Sequence, residues 1–189
     1  MSIQPWPTLR TEALGDFRIF HLRRDFKRSP RTGAEHDFYV LECPGWVNVV
    51  ALTPDRRAIL VEQYRHGTNT VELEIPGGVM DAADADPVAT GVRELREETG
   101  YEGARARVIG HVAANPAIQD NLCHVVLIED CERRHPCEWD RSEDLATRLV
   151  PVAELPALVA AGRIRHSLVV AALYHFALHP AGAAAATRA

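Results

Sequence analysis

One stretch of the chain, Leu73–Tyr101, combines glycines, a helix start signal and a dense set of acidic residues. Asp86 is a good N-cap, and Pro87 suits the first helical position because its missing N–H would have had no intrahelical partner. Gly100 has no Cβ and takes the left-handed conformation that ends a helix. The sequence therefore predicts a helix from Asp86 to Thr99. Apolar residues at helical spacing predict one buried stripe on it, formed by Val88, Val92 and Leu95.

Three carboxylates project from neighbouring turns of this helix, those of Glu94, Glu97 and Glu98, and Arg93 lies an i+4 step before Glu97. Like charges this close repel one another, so a fold that concentrates them usually places something positive between them. A hard divalent cation with oxygen ligands is the natural candidate. The alternative for the glutamates alone is a solvated acidic face. The preceding loop, Glu74–Gly78, favours the cation because it brings a backbone carbonyl close to the helix start.

Composition limits the class of protein. With 189 residues and 47% hydrophobic content, the chain is long enough for one well-buried core with a small appendage. A net charge of −5 argues against a general nucleic-acid or membrane binder, which needs a basic surface. Lys27 is the only lysine, which excludes a phosphate-loop lysine and a Schiff-base site. The four cysteines lack metal-site spacing and predict free thiols in a reducing cytoplasm. Neither a signal pattern nor a membrane-spanning apolar run is found.

Runs of strand-forming residues broken by turn residues, followed by few helices, predict an α+β fold. At the N-terminus we expect an extended arm over Met1–Arg10, a strand over Phe17–Leu22 and a solvated loop over Arg23–Arg31. The acidic, turn-rich segment Glu129–Asp144 is long enough to be a mobile loop over a site. Further strands are predicted at His36–Glu42, Trp46–Leu52, Ala58–Tyr64, Val71–Ile75, Ala106–Val112, Cys123–Ile128 and Leu149–Pro151, and helices at Val152–Ala161 and His166–Leu178.

Gly78 together with Arg93–Tyr101, RELREETGY, resembles the Nudix box of the Nudix hydrolases. The second half of the box matches at every defined position. The first half departs from the family, in which a glycine, five residues, a glutamate and seven residues precede the arginine. Here Gly78 is one residue too far from the arginine, and the glutamate position falls on either Asp84 or Ala85. An extra residue in the loop Asp81–Asp86 explains the difference most simply.

Three segments outside the box are similar to the ADP-ribose pyrophosphatase and nucleoside-diphosphate-sugar hydrolase branch: Glu62–Arg65, Leu73–Gly78 and Asn115–Ala117. The resemblance implies a Nudix fold, an α/β/α sandwich with a mixed sheet, preceded by a small N-terminal antiparallel sheet. It assigns residues 1–43 to a dimerisation segment, 44–179 to the Nudix domain and 180–189 to a flexible tail. A cytoplasmic homodimer without nucleic-acid or membrane partners is expected.

The resemblance also implies a metal centre. Glu94 and Glu98 would be the main ligands, with Glu97 a further ligand and the Gly77 carbonyl completing the shell. Mg²⁺ fits such an oxygen set, and Mn²⁺ is the alternative. Arg93 would orient the glutamates through an ion pair with Glu97 rather than touch the substrate.

The diphosphate of the substrate would be contacted by Arg65, whose guanidinium offers a fork to phosphate oxygens. The alternative for Arg65 is a salt bridge to Glu74, and both can hold in different states. The general base would come from the acidic segment, where Glu143 is the first choice. Its competitors are Asp144, Asp140 and Glu138, and the alternative is that the segment is merely solvated.

For the base and sugar, Trp46, Tyr39 or Phe38 would stack on a nucleobase, although aromatic residues beside strands are more often core. At Asn115, Pro116 and Gln119 the chain resembles the members that hydrolyse nucleotide sugars broadly more than it resembles strict ADP-ribose enzymes. A further residue, His124, is interpreted as structural because it lies inside an apolar strand.

The implied reaction is metal-dependent hydrolysis of the diphosphate bond of a nucleoside diphosphate sugar, of the ADP-ribose or GDP-mannose type, to a nucleoside monophosphate and a sugar phosphate. Metal ions would neutralise the phosphate charge and help to generate hydroxide. The alternative is a Nudix-fold sensor that binds a nucleotide without turnover. Loss of the box glutamates would mark such a sensor, so their presence favours the enzyme.

Overall fold

The computed structural model describes residues 2–141 and 143–182. The chain forms two compact units: the first contains the residues up to Pro44 together with Ala113–Leu122, and the second contains Gly45–Val112 and the residues from Cys123 on. The predicted division had left Ala113–Leu122 in the second unit.

The strands are β1 Thr8–Asp16, β2 His21–Arg28, β3 Glu35–Glu42, β4 Trp46–Leu52, β5 Arg57–Arg65, β6 Thr70–Glu74, β7 Gly77–Val79, β8 Tyr101–Glu102, β9 Arg105–Ala113, β10 Leu122–Glu129, β11 Glu132–Arg133 and β12 Leu145–Pro151. The helices are α1 Pro87–Thr99, α2 Leu155–Ala160 and α3 Ser167–Leu178.

The first unit contains an antiparallel sheet in the order β1-β2-β3. Two predictions are wrong here: the chain turns within Phe17–Leu22, and most of the predicted loop Arg23–Arg31 is strand β2. The basic side chains of β2 are cross-strand partners rather than a solvated run. Arg23 Nη1 lies 2.6 Å from Glu42 Oε1, and further pairs join Arg24 to Glu12 and Arg28 to Glu35. Such opposite-charge pairs stabilise a sheet, which explains a strand in a highly charged sequence.

Segment Ala113–Leu122 belongs to the first unit because polar contacts attach it to the sheet. The Asp120 carboxylate accepts hydrogen bonds from Arg23 Nη1 at 2.9 Å and from the Cys43 N–H at 3.1 Å. The Leu41 N–H donates to the Ile118 carbonyl at 2.7 Å. The association therefore depends on residues 77 to 97 positions apart, which local sequence patterns do not reveal.

The second unit is built around a seven-stranded mixed sheet in the order β12-β5-β4-β10-β9, with β6 paired to β5 and β7 to β4. Strands β4 and β10 are parallel, whereas β5 runs antiparallel to β4 and β12. On one face α1 packs through Leu95 against Val49 and Val126. On the other face α3 packs through Val169 and Phe176 against residues that include Val50. This α/β/α arrangement, with the separate small antiparallel sheet, confirms the predicted α+β class.

Helix α1 has the predicted ends. The Asp86 carboxylate accepts the Ala89 N–H at 2.9 Å, and Gly100 is left-handed at φ 75°. The predicted buried stripe is partly wrong, because Leu95 is buried while Val92 is 37% exposed. The buried face contains Thr90, Gly91, Glu94, Leu95, Glu98 and Thr99. Gly91 has no Cβ and lets the helix approach Val126 closely, so two of the box glutamates turn inward.

Helices in the C-terminal part match the prediction closely. The helix predicted at Val152–Ala161 is a 3₁₀ turn, Val152–Glu154, followed by α2, and Gly162 ends it in a left-handed conformation at φ 67°. In the described part of the chain, no helix has the length and apolar character needed to cross a bilayer. Of the predicted tail 180–189, residues 183–189 lie outside the described part of the chain.

Candidate active site

A polar cavity of about 390 Å³ in the second unit collects most of the predicted site residues. It lies where β7 and α1 meet the end of β5 and the acidic segment. Its lining residues are Trp46, Gln63, Arg65, Gly77, Gly78, Val79, Asp81, Arg93, Glu94, Glu97, Glu98, Glu138, Asp140 and Glu143. A larger cavity of about 590 Å³ borders α2 and α3, but its lining carries no charged side chain and offers no hydrolytic chemistry.

The glycine pair on β7 determines how close the chain comes to α1. A Cβ on Gly78 would overlap the Glu94 carboxylate, and one on Gly77 would overlap the Val47 carbonyl on β4. The Gly77 N–H donates to Glu98 Oε2 at 3.2 Å. These positions therefore need glycine because both neighbours occupy the space of a side chain.

Two of the glutamates are buried. Glu98 is 3% exposed and Glu94 is 9% exposed. Burial raises the pKa of Glu94 to about 7, although the Arg93 charge opposes the shift. Burial and the neighbouring Glu94 charge raise the pKa of Glu98 well above its usual range. Within residues 2–141 and 143–182, the Glu98 carboxylate has a single hydrogen bond, to Gly77, and no ion pair. A buried carboxylate with so little compensation favours a bound cation.

Arg93 connects the acidic residues. Its Nη1 lies 2.8 Å from Glu94 Oε1 and 3.0 Å from Glu97 Oε2, so the predicted pair with Glu97 is formed and extends to Glu94. No three Asp, Glu, His or Cys side chains in the described ranges form a ready-made metal cluster. The Glu94 and Glu97 carboxylates instead pair with Arg93, and the Glu98 carboxylate accepts the Gly77 N–H. The metal-ligand assignments therefore stay predictions.

Of Asp84 and Ala85, between which the sequence left the glutamate position open, Asp84 is the residue that contacts Arg93. Its Oδ2 lies 2.9 Å from Arg93 Nη2 and its Oδ1 lies 3.2 Å from Arg93 Nε. It also accepts hydrogen bonds from the Thr90 hydroxyl and the Asp81 N–H. Hydrogen bonding to Arg93 holds the pKa of Asp84 well below its usual range. The extra loop residue thus brings a shorter carboxylate to the arginine.

We expect Asp84→Asn to destabilise the protein by about 2 kcal/mol, because it removes one partner of a mostly buried ion pair. Urea unfolding measures this change. The matched control is Asp81→Asn, since Asp81 is 66% exposed and lies 3.7 Å from Arg93. An exposed pair at that distance contributes about 0.5 kcal/mol or less. Equal losses in the two variants would contradict the role given to Asp84.

Arg65 forms the predicted salt bridge to Glu74, and its contact with the diphosphate stays a prediction. It lines the cavity, and its Nε and Nη2 donate to the two oxygens of Glu74, each at 2.9 Å. Glu74 is 2% exposed and lies behind Arg65 rather than on the cavity wall. Burial alone would raise the pKa of Glu74, but hydrogen bonds from His166 and Arg65 lower it to about 2. Glu74 is therefore ionised and holds the guanidinium in one orientation.

The acidic segment is attached to the C-terminal end of α1. The Glu138 N–H donates to the Glu97 carbonyl at 2.8 Å, and the Trp139 indole N–H donates to the Glu98 carbonyl at 2.9 Å. Helix ends leave carbonyls without intrahelical partners, and these two bonds satisfy them. Of the candidate bases Glu138, Asp140 and Glu143 line the cavity, while Asp144 does not. The Glu143 carboxylate accepts the Asp140 N–H at 3.0 Å, and its role as base stays a prediction.

The remaining candidates for binding the base and the sugar lie in different units. Trp46 lines the cavity, and its indole N–H donates to Asn48 Oδ1 at 3.1 Å. Phe38 and Tyr39, on β3, and Asn115 and Gln119, in segment Ala113–Leu122, belong to the first unit, and their contacts with substrate stay predictions.

Three further observations concern His124, the cysteines and a cavity residue that the sequence did not predict. His124 does not line the cavity, and burial together with the His111 charge lowers its pKa. The four cysteines are free, as expected. Sequence reasoning missed Gln63 as a lining residue, although it lies within the segment Glu62–Arg65 that carries the resemblance.

Comparisons with known proteins identify the family of the chain. The NUDIX domain family model matches residues 44–173. An ADP-ribose pyrophosphatase of Mycobacterium tuberculosis is 31% identical over 172 residues, which cover 90% of this chain and 83% of that protein. A methanol dehydrogenase activator of Bacillus methanolicus is 31% identical over 127 residues, which cover 67% of this chain and 68% of that protein.

The fold comparison gives the same result. A solved structure of an ADP compounds hydrolase superposes with a TM-score of 0.81, covering 93% of this chain and 94% of that chain at 22% identity. At this identity the likeness concerns the fold alone. With a family model over more than half of the chain and a relative aligned over nine tenths of it, the chain belongs to the Nudix hydrolase family.

Proposed function

We propose that this Nudix pyrophosphohydrolase splits the diphosphate bond of a nucleoside diphosphate sugar, with ADP-ribose first and GDP-mannose second as substrate types. The products would be a nucleoside monophosphate and a sugar phosphate. The observation that carries the proposal is the single cavity that contains the buried glutamates of α1 and the Arg65 guanidinium. The similarity to a protein named ADP-ribose pyrophosphatase supports the choice of first substrate.

The residues fit a divalent metal ion, and we propose Mg²⁺, with Mn²⁺ as the alternative. Carboxylates and a carbonyl are the oxygen donors that Mg²⁺ prefers, and Glu98 is a buried carboxylate with no cationic partner among the described residues. Glu94, Glu97, Glu98 and the Gly77 carbonyl would hold the ion. When bound, such an ion neutralises phosphate charge and lowers the pKa of bound water.

The protein's own groups then have separate tasks. Arg93 keeps Glu94 and Glu97 on one side of the cavity through its 2.8 and 3.0 Å ion pairs. Arg65 has N–H groups left after pairing with Glu74, and these donate to the diphosphate oxygens. Glu143 takes the proton of the attacking water, with Glu138 and Asp140 as competitors on the same wall.

The base and the sugar of the substrate would be held by residues other than the metal ligands and Arg65. Trp46 would contact the base or sugar from the cavity wall. Asn115 and Gln119 would contribute polar contacts, as in members that accept nucleotide sugars broadly.

A product-resolved screen tests the proposal. Purified protein with Mg²⁺ is expected to release a nucleoside monophosphate and a sugar phosphate from at least one of a panel of ADP- and GDP-linked sugars. Removing the metal with EDTA is expected to abolish the release, because the buried carboxylates would lose the ion that they hold. Re-addition of Mg²⁺ or Mn²⁺ should restore it. If no such products form from the whole panel, the proposed function is wrong.

We also propose that the protein is a homodimer in the cytoplasm. The first unit exposes large apolar side chains, among them Phe38 at 41% and Tyr39 at 52%, which a partner sheet would cover. Sedimentation is expected to give twice the chain mass of 20.9 kDa. The variant Tyr39→Glu should shift the mass towards the monomer, because it places a charge in the covered surface. A monomer mass for the wild type at working concentration would refute the dimer.

A further inference from the structure

Two consecutive residues just before α3, Arg165 and His166, attach this helix to strand β6. Arg165 Nη2 lies 2.6 Å from Glu72 Oε1, and its Nε lies 2.9 Å from Glu72 Oε2. His166 Nδ1 lies 2.7 Å from Glu74 Oε2. Glu72 and Glu74 are both buried and two positions apart, so their side chains lie on the same face of β6. Both contacts therefore connect the start of α3 to β6.

The Arg165 and His166 contacts differ in the further hydrogen bonds that the Glu72 and Glu74 carboxylates make. The Glu72 carboxylate is otherwise bonded to the hydroxyls of Thr68 and Thr70, and Thr68 reaches only the backbone carbonyl of Arg65, at 3.4 Å. The Glu74 carboxylate is bonded through both of its oxygens to the Arg65 guanidinium, which reaches the catalytic cavity. The His166 contact is therefore connected to the guanidinium at the proposed diphosphate site, whereas the Arg165 contact is not.

The Glu74 carboxylate has three donors, and the residue is only 2% exposed. Oε2 accepts from both His166 Nδ1 and Arg65 Nη2, while Oε1 accepts from Arg65 Nε. Without the His166 donor the carboxylate would lose one of its three bonds, and its plane would be less constrained. An arginine fork follows the plane of its carboxylate, so the direction of the remaining Arg65 N–H groups would change as well.

We propose that His166 is a positioning residue for the substrate diphosphate: it holds Glu74, and through Glu74 it aims Arg65 into the catalytic cavity. The inference rests on the proposed function, in which Arg65 contacts the diphosphate. A second cavity of about 450 Å³ is lined by Arg65, Glu74 and His166, so Arg65 lies between this cavity and the catalytic one. His166 thus acts on the reaction from the far side of the arginine, without touching substrate.

The chain offers a matched pair of variants. His166→Phe keeps the volume of the ring but removes both nitrogens, and Arg165→Met keeps the stem of the side chain but removes the guanidinium. Both are expected to lower the melting temperature, because each detaches α3 from β6. Only His166→Phe is expected to lower kcat/KM, by about tenfold, because only it loosens the charge-assisted pair that orients Arg65. His166→Asn should recover most of the loss, since an amide N–H can replace Nδ1–H.

A double-mutant cycle with Arg65→Ala identifies the route of the effect. If His166 acts through Arg65, then His166→Phe should change kcat/KM by less than about twofold once Arg65 is absent. Additive losses in the double variant would overturn the proposal, as would an equal loss of kcat/KM in Arg165→Met.

Binding of inorganic pyrophosphate with Mg²⁺ present, measured by calorimetry in the same variants, separates this inference from the proposed function. It reports the Arg65 contact whether or not a nucleotide sugar is turned over. His166→Phe should weaken pyrophosphate binding about tenfold and Arg165→Met should leave it unchanged. Absence of pyrophosphate binding by the wild type, or equal weakening in the two variants, would overturn the role of His166. Absence of turnover with this binding pattern intact would count against the proposed function alone.

Discussion

Glu98→Gln is expected to remove nearly all hydrolase activity and, at the same time, to stabilise the metal-free protein. The amide keeps the shape of the side chain and can still accept the Gly77 N–H. It cannot supply the negative charge that a divalent ion needs, so kcat is expected to fall by about a thousandfold or more. Steady-state kinetics on the best substrate of the panel measure this loss.

The gain in stability follows from the direction of the pKa shift. Burial raises the pKa of Glu98 in the folded chain above its value in the unfolded chain. Folding then favours the protonated form, so the contribution of Glu98 to stability is greatest at low pH and is lost as the pH rises. At pH 7 to 8 the glutamine avoids this penalty, and we expect a melting temperature roughly 2–4 °C higher, the shift that about 1 kcal/mol gives a chain of this size.

Two controls make the result specific. The advantage of Glu98→Gln over the wild type should shrink as the pH is lowered from 8 towards 5, because the wild-type carboxyl becomes protonated. Added Mg²⁺ should raise the melting temperature of the wild type but not that of the variant, because only the wild type binds the ion in its folded state. Full hydrolase activity in the variant would refute the role of Glu98 as a metal ligand. Nucleotide binding without turnover by the wild type, with equal binding by the variant, would favour the sensor, whose function does not need this carboxylate.

Gly78→Ala is expected to abolish most of the activity with little loss of stability. A Cβ at this position would overlap the Glu94 carboxylate, which is the end of a flexible side chain and can move away. The fold therefore tolerates the change, but Glu94 leaves the position from which it would hold the metal. We expect kcat/KM to fall by about a hundredfold, since misplacement by about 1 Å in a reacting site costs this much.

The control is Gly67→Ala, because a Cβ on Gly67 would have no neighbour within 4 Å. Its activity and melting temperature should equal those of the wild type. Gly77→Ala provides a contrasting variant. Its Cβ would overlap the backbone carbonyl of Val47, which, unlike a side chain, cannot move to another rotamer. That variant should lose stability as well as activity. Wild-type kinetics in Gly78→Ala would show that Glu94 does not need its present position.

The features that the sequence predicted well are those determined by local chemistry. Helix α1 has the expected limits because its N-cap, its first proline and its C-terminal glycine act within one turn of the chain. The box glutamates meet in one cavity because their spacing on a helix places them on neighbouring turns. Strand β4, Trp46–Leu52, has the predicted limits because turn residues bound an apolar run.

The features that the sequence did not predict depend on distant partners. The charged strand β2 exists because its arginines find carboxylates on β1 and β3. The exposure of Val92 follows from the close approach of Gly91 to Val126, which sets the rotation of α1. Asp84 could be chosen over Ala85 only once the path of the extra loop residue had brought its carboxylate to Arg93.

The hydrogen bond from Trp139 to the Glu98 carbonyl divides the acidic segment into two parts with different freedom to vary. The part up to Trp139 caps the end of α1, so changes there would fray the helix that carries the glutamates. The part beyond Trp139 contributes the Asp140 and Glu143 side chains to the cavity wall, and its described residues form no hydrogen bond to the helix. Substitutions between Trp139 and β12 that keep these two candidate bases should therefore change the cavity wall while the catalytic helix keeps its structure.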